Sequence, residues 1–354
     1  MVEIAKALSR KARVLIMDEP SAALTHREVE SLYAQVDRLR AEGVALLFCS
    51  HRLDEVARLA DRITVLRDGS VVGRAVRGEM TEDGMATAMV GRELSDIFPA
   101  KAASFGDELL RVDHLNVAGA VPVRDATLTL RHGEVLGIAG LVGSGRTELA
   151  MSIFGRSFGR DISGTVEIGG RPADVSTVNR AIGAGLSYVT EDRKTLGLIL
   201  DEPIQRNVSL ANLAGISARG VLSRGREKAV AEGYRRDLGI RTPSVLQQVV
   251  NLSGGNQQKV VLSKWLFTQP QVLILDEPTR GIDVGAKAEI YRLLGDLAAG
   301  GEAIIVISSE LPEVLRLSHR IAVMCEGRLT GILPGGASQE AIMELATQRE
   351  GAAA

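Results

Sequence analysis

Two apolar patterns alternate along this chain. Short runs that are apolar at every position, such as "VLIM" (14–17) and "VLIL" (272–275), close on a pair of acids and a proline. A run with no polar alternation predicts a strand buried on both faces, as in a parallel sheet. Each run is followed by a stretch with helical spacing. After the first, "THRE" reads as a capping box, with Thr25 as N-cap and Glu28 at the third helical position. Val29, Leu32, Tyr33, Val36 and Leu39 then make one apolar stripe, and Gly43 stops it. After the second, Asp283 is the cap, Ile290, Leu293, Leu294 and Leu297 are the stripe, and Gly300–Gly301 is the stop. "VALLFCS" supplies the next strand of the first series. Strands alternating with helices predict an α/β fold.

The two series are copies. Pro20 of "VLIMDEP" falls on Pro278 of "VLILDEP", an offset of 258, and the register holds without a gap until Gly69 falls on Gly327. Asp18 and Glu19 thereby fall on Asp276 and Glu277. The same offset puts Met1 on Lys259, so whatever precedes Lys259 in the second copy has no counterpart in the first. "MVEIAKALSRKA" already reads as the inside of an amphipathic helix, with Val2, Ile4, Ala5 and Leu8 on one stripe. The expectation is an N-terminal truncation, with an internal methionine taken as the start. Residues 1–95 are then the C-terminal remnant of a first domain, 96–108 a linker, 109–340 a complete second domain and 341–354 a tail. The first 73 residues should be the weaker half, because a strand that belongs among theirs is missing and apolar sheet is left uncovered.

Composition narrows the class. The chain has 354 residues, 45% apolar and 24% charged, which suits globular domains rather than disorder. A net charge of −2 gives no reason to expect nucleic acid as a partner. Cys49 and Cys325 lack metal-ligand spacing, which suits a reduced compartment. No apolar run reaches the length of a membrane span, and the N-terminus lacks signal-peptide layout. Any service to a membrane is from its surface.

"GLVGSGRT" (140–147) meets the phosphate-loop template G-x-x-x-x-G-K-[ST] except at Arg146. An apolar strand precedes it and a helical stretch follows, which is the context the template requires. Backbone N–H groups of Gly143, Ser144 and Gly145 can wrap phosphate oxygens, with the helix N-terminus adding a favourable field and Thr147 a hydroxyl for Mg²⁺. Taken alone, the stretch serves equally well as a tight strand-to-helix turn. "LSGGNQQ" (252–258) taken alone is a helix start with Ser253 as cap. The order of glycine loop, LSGG and apolar run ending in Asp276–Glu277 is far more specific than any one part. Asp276, ending its strand, can hold the Mg²⁺ shell; Glu277 can orient or deprotonate an attacking water.

With "YVTEDRK", "NLSGGNQQK", "ILDEPTRGIDVGAK" and "ISSELPEV" added, the sequence resembles the second cassette of the tandem ATP-binding-cassette subunits of bacterial monosaccharide importers (ribose, xylose and galactose type). "MDEPSAALT" and "CSHRLDEV" resemble the end of a first cassette. The resemblance implies a P-loop NTPase fold, with a mostly parallel core sheet, an antiparallel β-subdomain and a helical subdomain. It implies cassettes stacked head to tail, each ATP lying between one phosphate loop and the other cassette's LSGG segment. Gly140, Gly143, Ser144, Gly145, Arg146 and Thr147 would bind nucleotide, while Ser253, Gly254 and Gly255 would face the γ-phosphate of an opposing cassette. Asp18 and Asp276 would serve Mg²⁺. It further implies transmembrane permease subunits, a periplasmic sugar-binding protein and a peripheral place on the cytoplasmic face of the membrane.

The copies are unequal. His51, the expected γ-phosphate contact, falls on Ser309, and the expected glutamine that senses Mg²⁺ and the permease is Glu191. Arg146 keeps a positive charge, yet its planar fork is no substitute for a compact ammonium. The second copy should bind nucleotide and hydrolyse it poorly. The productive site of such a subunit would combine Glu19 and His51 of the first copy with Ser253 and a lysine-bearing loop absent here. The alternatives are a soluble cassette protein acting on ribosomes or DNA, which usually carries a basic arm or coiled coil not seen here, and a non-enzymatic nucleotide-binding fragment. Nucleoside or signalling-molecule import competes with sugar import.

Overall fold

A computed structural model describes residues 12–21, 26–50, 52–67, 69–91 and 105–348. The expected Thr25 cap, His51, the Val2–Leu8 stripe, residues 96–104 of the linker and the end of the tail lie outside the described residues. The chain divides into two units: residues 1–97 with 283–288, and residues 98–282 with 289–354.

In the first unit, β1 (Val14–Asp18) pairs parallel with β2 (Ala45–Cys49), and α1 (His26–Ala41) lies between them in sequence. Alternation along β1 sends Leu15 and Met17 into a core with Val29, Leu32, Tyr33, Val36 and Leu39, the predicted stripe of α1. After α2 (Leu53–Leu59), β3 (Arg62–Arg67) and β4 (Ser70–Val76) form a separate hairpin over α3 (Glu82–Val90). Ile63, Val65 and Met85 make the core there.

The second unit opens with an antiparallel sheet of β5 (Glu108–Ala118), β6 (Val123–Arg131), β8 (Arg160–Ile168) and β9 (Arg171–Pro172). Phe105, Gly106 and Asp107, expected to be linker, are already fastened to it. Phe105 packs edge-on against His319 at 4.8 Å, and the Gly106 N–H donates to the His132 carbonyl at 3.1 Å.

Six strands form the main sheet: β7 (Val135–Gly140), β10 (Leu186–Val189), β13 (Val272–Asp276), β14 (Ala303–Ile307), β15 (Arg320–Cys325) and β16 (Arg328–Pro334). Their order is β10-β13-β14-β7-β15-β16, parallel except for the β15–β16 hairpin. The chain leaves β7 through α4 (Arg146–Ile153) and returns on the β10 side, whereas it leaves β14 through α10 (Leu311–Leu317) and crosses over β7 to β15. The two connections leave in opposite directions, each passing over the other's strand, and the loops at the carboxyl ends of β7 and β14 bound a crevice. Between them in sequence come α5 (Val178–Gly183), α6 (Ile204–Ser209), α7 (Arg224–Asp237), α8 (Gly254–Leu266) and α9 (Val284–Ala299), with the short pair β11 (Ser217–Ala218) and β12 (Val221–Leu222). Asp283 caps α9 as expected, its side chain accepting from the Ala286 N–H at 2.9 Å.

The tail expectation is corrected. α11 (Gln339–Thr347) buries Ile342 and Ala346 in a cluster with Ala139, Val314, Ile321 and Val323, so the second unit runs to the end of this helix. Its apolar positions 342, 345 and 346 are one helical face, a signal present in the sequence.

The repeat is kept at atomic detail. β1 pairs with β2 as β13 pairs with β14, Val14 opposite Ala45 and Val272 opposite Ala303. Both hairpins carry a bulge at matching positions, after Val65 and after Val323. What differs is cover. Val14, Ile16 and Leu47 are 61%, 66% and 55% exposed, whereas their counterparts Val272, Ile274 and Ile305 are 0%, 0% and 1%. In the second unit β7 joins β14 to β15, and α4 packs on β7 and β13. Among the described residues of the first unit, no strand occupies the place of β7.

Candidate phosphate-binding site

The crevice is floored by the glycine loop. Gly140 and Gly145 hold backbone angles of φ 153° and 100°, and a Cβ at Gly140 would come within 2.5 Å of the Met324 carbonyl oxygen. Only glycine lets β7 turn this sharply so close to β15. Gly143, at φ 80°, faces open space. The loop therefore presents backbone N–H groups and the start of α4 to the crevice, as an anion site requires. Ser144 is buried and its hydroxyl has no protein partner.

Asp276 ends β13 fully buried. Tyr188 donates its hydroxyl to Oδ2 at 2.9 Å, while Oδ1 is buried without a hydrogen-bond partner. Burial pushes the Asp276 carboxyl up to about 6, against the lowering influence of the Thr147 and Tyr188 hydroxyls. The charge of Glu191 is also felt there and raises it further. An oxygen of this kind, beside a threonine hydroxyl at a phosphate loop, fits a hard cation such as Mg²⁺, which takes one or two protein oxygens and completes its shell elsewhere. Ser144 Oγ and Asp276 Oδ1 are costly orphans without such a ligand and useful ones with it.

Glu277 follows in a left-handed backbone, φ 48°, which its counterpart Glu19 shares. A non-glycine residue seldom adopts that region, and here it turns the carboxylate out of the strand at the crevice. The Glu277 N–H donates to the Ile307 carbonyl at 2.8 Å, and the Glu19 N–H to the Cys49 carbonyl at 2.9 Å. Ser309 donates its hydroxyl to Glu277 Oε2 at 3.0 Å. Burial raises the Glu277 carboxyl, and the Arg146 charge opposes this.

Arg146 departs from expectation. Its guanidinium is buried, and Nη1 donates to the backbone carbonyl of Ser308 at 2.7 Å, across the crevice. A fork this long reaches past the loop to the end of β14, where a lysine ammonium would stop short. Arg146 thus braces the two strand ends, and its charge still acts on Glu277.

The corner beyond β14 is fastened by Glu313 of α10. Its buried carboxylate accepts from the Ser308 hydroxyl and, at 3.0 Å, from the Thr279 hydroxyl. In the first unit Glu55 does the same, accepting from Ser21 at 2.8 Å and Ser50 at 3.3 Å. Each of these pairs is separated by the repeat offset. Sequence reasoning missed this contact, although the acid and both hydroxyls are shared by the two copies.

Ser253 stands at the N-cap of α8, but its hydroxyl caps nothing. It accepts from the Asn256 side chain at 2.9 Å and is exposed, between buried Leu252 and half-buried Gly254. The capping reading is thereby corrected: the first N–H groups of α8 are left for another acceptor. Gly254 and Gly255 begin that helix. Glu191 is exposed and pairs with Arg280 at 3.3 Å. In the first unit Asp18 ends β1 exposed to solvent, unlike Asp276.

Comparison with known proteins agrees with this geometry. The family profile described as ABC transporter matches residues 123–280. An L-arabinose transport ATP-binding protein of Geobacillus stearothermophilus is 48% identical over 98% of this chain and 69% of its own length. A Burkholderia ambifaria protein named for ribose/galactose/methyl galactoside import is 49% identical over 99% of this chain and 68% of its own. Among solved structures, an ATP-binding cassette of an ABC transporter in its ADP conformation superposes with a TM-score of 0.56 at 19% identity, covering 69% of this chain and all of that one. A Clostridium perfringens ABC transporter component gives a TM-score of 0.54 at 22% identity, over 68% of this chain and 92% of that one. Among the described residues no helix is long and apolar enough to cross a membrane. The chain belongs to the ABC transporter family, among its ATP-binding proteins.

Proposed function

We propose that this chain is the ATP-binding subunit of a monosaccharide importer, and that its second unit binds Mg-ATP at residues 140–147 and hydrolyses it slowly. The observation that carries the reading is the pair of buried, partnerless oxygens, Ser144 Oγ and Asp276 Oδ1, set around Thr147 at a glycine-built helix start. Gly143, Ser144 and Gly145 offer N–H groups to the phosphates. Thr147 and Asp276 would hold Mg²⁺, which when bound offsets phosphate charge. Glu277 would orient the attacking water; Ser309, which matches His51 by the repeat offset, donates to its carboxylate. Ser309 is too short for the histidine's contact, Arg146 is engaged with Ser308, and Glu191 with Arg280. Losing several transition-state contacts together lowers the rate by roughly 10³ or more.

The relatives' names point to sugars, which supports a monosaccharide as cargo, a permease as membrane partner and a periplasmic sugar-binding protein beyond it. Exposed Leu196, Ile199, Val221 and Leu222 offer the apolar surface such a permease would cover. We read residues 1–95 as part of a first cassette, with Asp18, Glu19 and His51 as its metal and catalytic residues. Ser253, Gly254 and Gly255 would meet the γ-phosphate on an opposing cassette, the subunit lying on the cytoplasmic face of the membrane. The test is binding of fluorescent ATP by the whole chain, with phosphate release measured in parallel. Binding lost in Thr147→Ala with turnover near background is expected. Turnover at transporter rates, abolished by Glu277→Gln, would overturn the slow-hydrolysis reading; no binding at millimolar nucleotide would overturn the site.

A further inference from the structure

Arg193 has no part in the site so far, and its position is unusual. It opens a five-residue π-helical turn, Arg193–Gly197, a rare form frequently found at functional sites. Asp192 fixes that turn by accepting from the N–H groups of Lys194 and Thr195 at 3.0 and 3.1 Å. The Arg193 side chain then spans to the segment that follows Glu277. Nη1 donates to the Arg280 carbonyl at 2.6 Å and Nη2 to the Gly281 carbonyl at 3.0 Å. Arg280 returns the contact by pairing with Glu191. The third side is α8: a Cβ on Gly254 would lie 2.9 Å from Arg193 Nη2 and 3.0 Å from the Gly281 carbonyl oxygen. At the far end of the turn, Lys264 of α8 donates to the Gly197 carbonyl. Leu196 within the turn and Ile199 just after it are 64% and 49% exposed.

We propose that Arg193 is a positioning residue that locks the Glu191 turn, the Thr279–Gly281 segment and the start of α8 into one arrangement. The Arg280 N–H in turn donates to the Glu277 carbonyl at 3.2 Å, so the lock bears on the segment that carries Glu277. Two carbonyls on consecutive residues need two donors in a fixed plane, which a guanidinium has and an ammonium lacks. The link to Arg280 and Gly281 is direct hydrogen bonding, and α8 is met by close approach at Gly254. This inference rests on the nucleotide reading above.

The test uses the whole chain with Arg193→Lys and Arg193→Ala. Amide exchange is followed over 279–285 and 253–258, and affinity is measured for Mg-ADP and a slowly hydrolysed Mg-ATP analogue. Expected is faster exchange in those two segments with β7, β13 and β14 unchanged. Mg-ADP affinity should stay within about twofold and preference for the ATP analogue should fall about tenfold, as for one lost charge-assisted bridge. Added guanidinium should restore that preference in Arg193→Ala. Unchanged exchange in both segments, or equal acceleration in β13 and β14, overturns the proposal, as does an unaltered preference for the ATP analogue. If the unsubstituted chain binds no nucleotide, the parent reading falls while the exchange measurement still decides the lock.

Discussion

Asp276→Asn should stabilise the metal-free protein at neutral pH while disabling its site. Burial holds the Asp276 carboxyl up to about 6. Each unit of pKa displacement is worth about 1.4 kcal/mol, so ionising Asp276 in the metal-free fold costs about 3 kcal/mol. Between about pH 4 and 6 the folded protein retains a proton that the unfolded chain has released. The stability this group contributes is complete below its unfolded pKa and is lost as pH rises through about 6. Asparagine keeps the shape and an acceptor for Tyr188 but never ionises. Urea unfolding followed by Trp265, the one tryptophan of the chain, reports the second unit. Above pH 7, without metal, the variant should exceed the parent by about 2–3 kcal/mol, and the gap should close near pH 4. Mg²⁺ with nucleotide should stabilise the parent and leave the variant unmoved. Glu277 is raised by burial in both proteins and is coupled to Asp276, so losing the Asp276 charge eases its ionisation and adds to the variant's advantage at high pH. A variant no more stable at pH 8, or one whose advantage persists at pH 4, would refute the reasoning.

Arg146→Ala leaves the Ser308 carbonyl without its buried donor, at a cost of about 1–3 kcal/mol by the same fluorescence assay; it should also raise the Glu277 carboxyl further, and parent-like stability would show the brace to be idle. Limited proteolysis should cut before Phe105 and leave a resistant piece beginning between Phe105 and Leu109, because the faces of β1 and β2 lie open while 105–108 are fastened to the second unit. Equal protection of both units would count against this.

Much of the site was legible because its parts lie on local pattern. The strand before Asp276 is an apolar run, the loop at Gly143 needs residues without side chains, and the repeat aligns Glu19 with Glu277 by counting alone. Direction was harder. Nothing in the letters "GRT" says that the Arg146 guanidinium reaches a backbone carbonyl 162 residues away. Backbone acceptors have no sequence signature, and for the same reason Arg193 passed as one charge among several. Ser253 read as a cap because serine prefers that role, yet Asn256 engaged its hydroxyl instead. α11 read as tail only because a boundary was drawn through its apolar face.

The duplicated corner at Glu55 and Glu313 has a consequence for how such a chain changes over time. Its fasteners are an acid and two hydroxyls, and none of them is position 51 or 309. That position sits between the points of attachment, so a histidine there can give way to a serine with the corner still closed. Chemistry and architecture are inherited separately at this spot. The corner at Glu313 is closed with serine at 309, through contacts in which Ser309 takes no part.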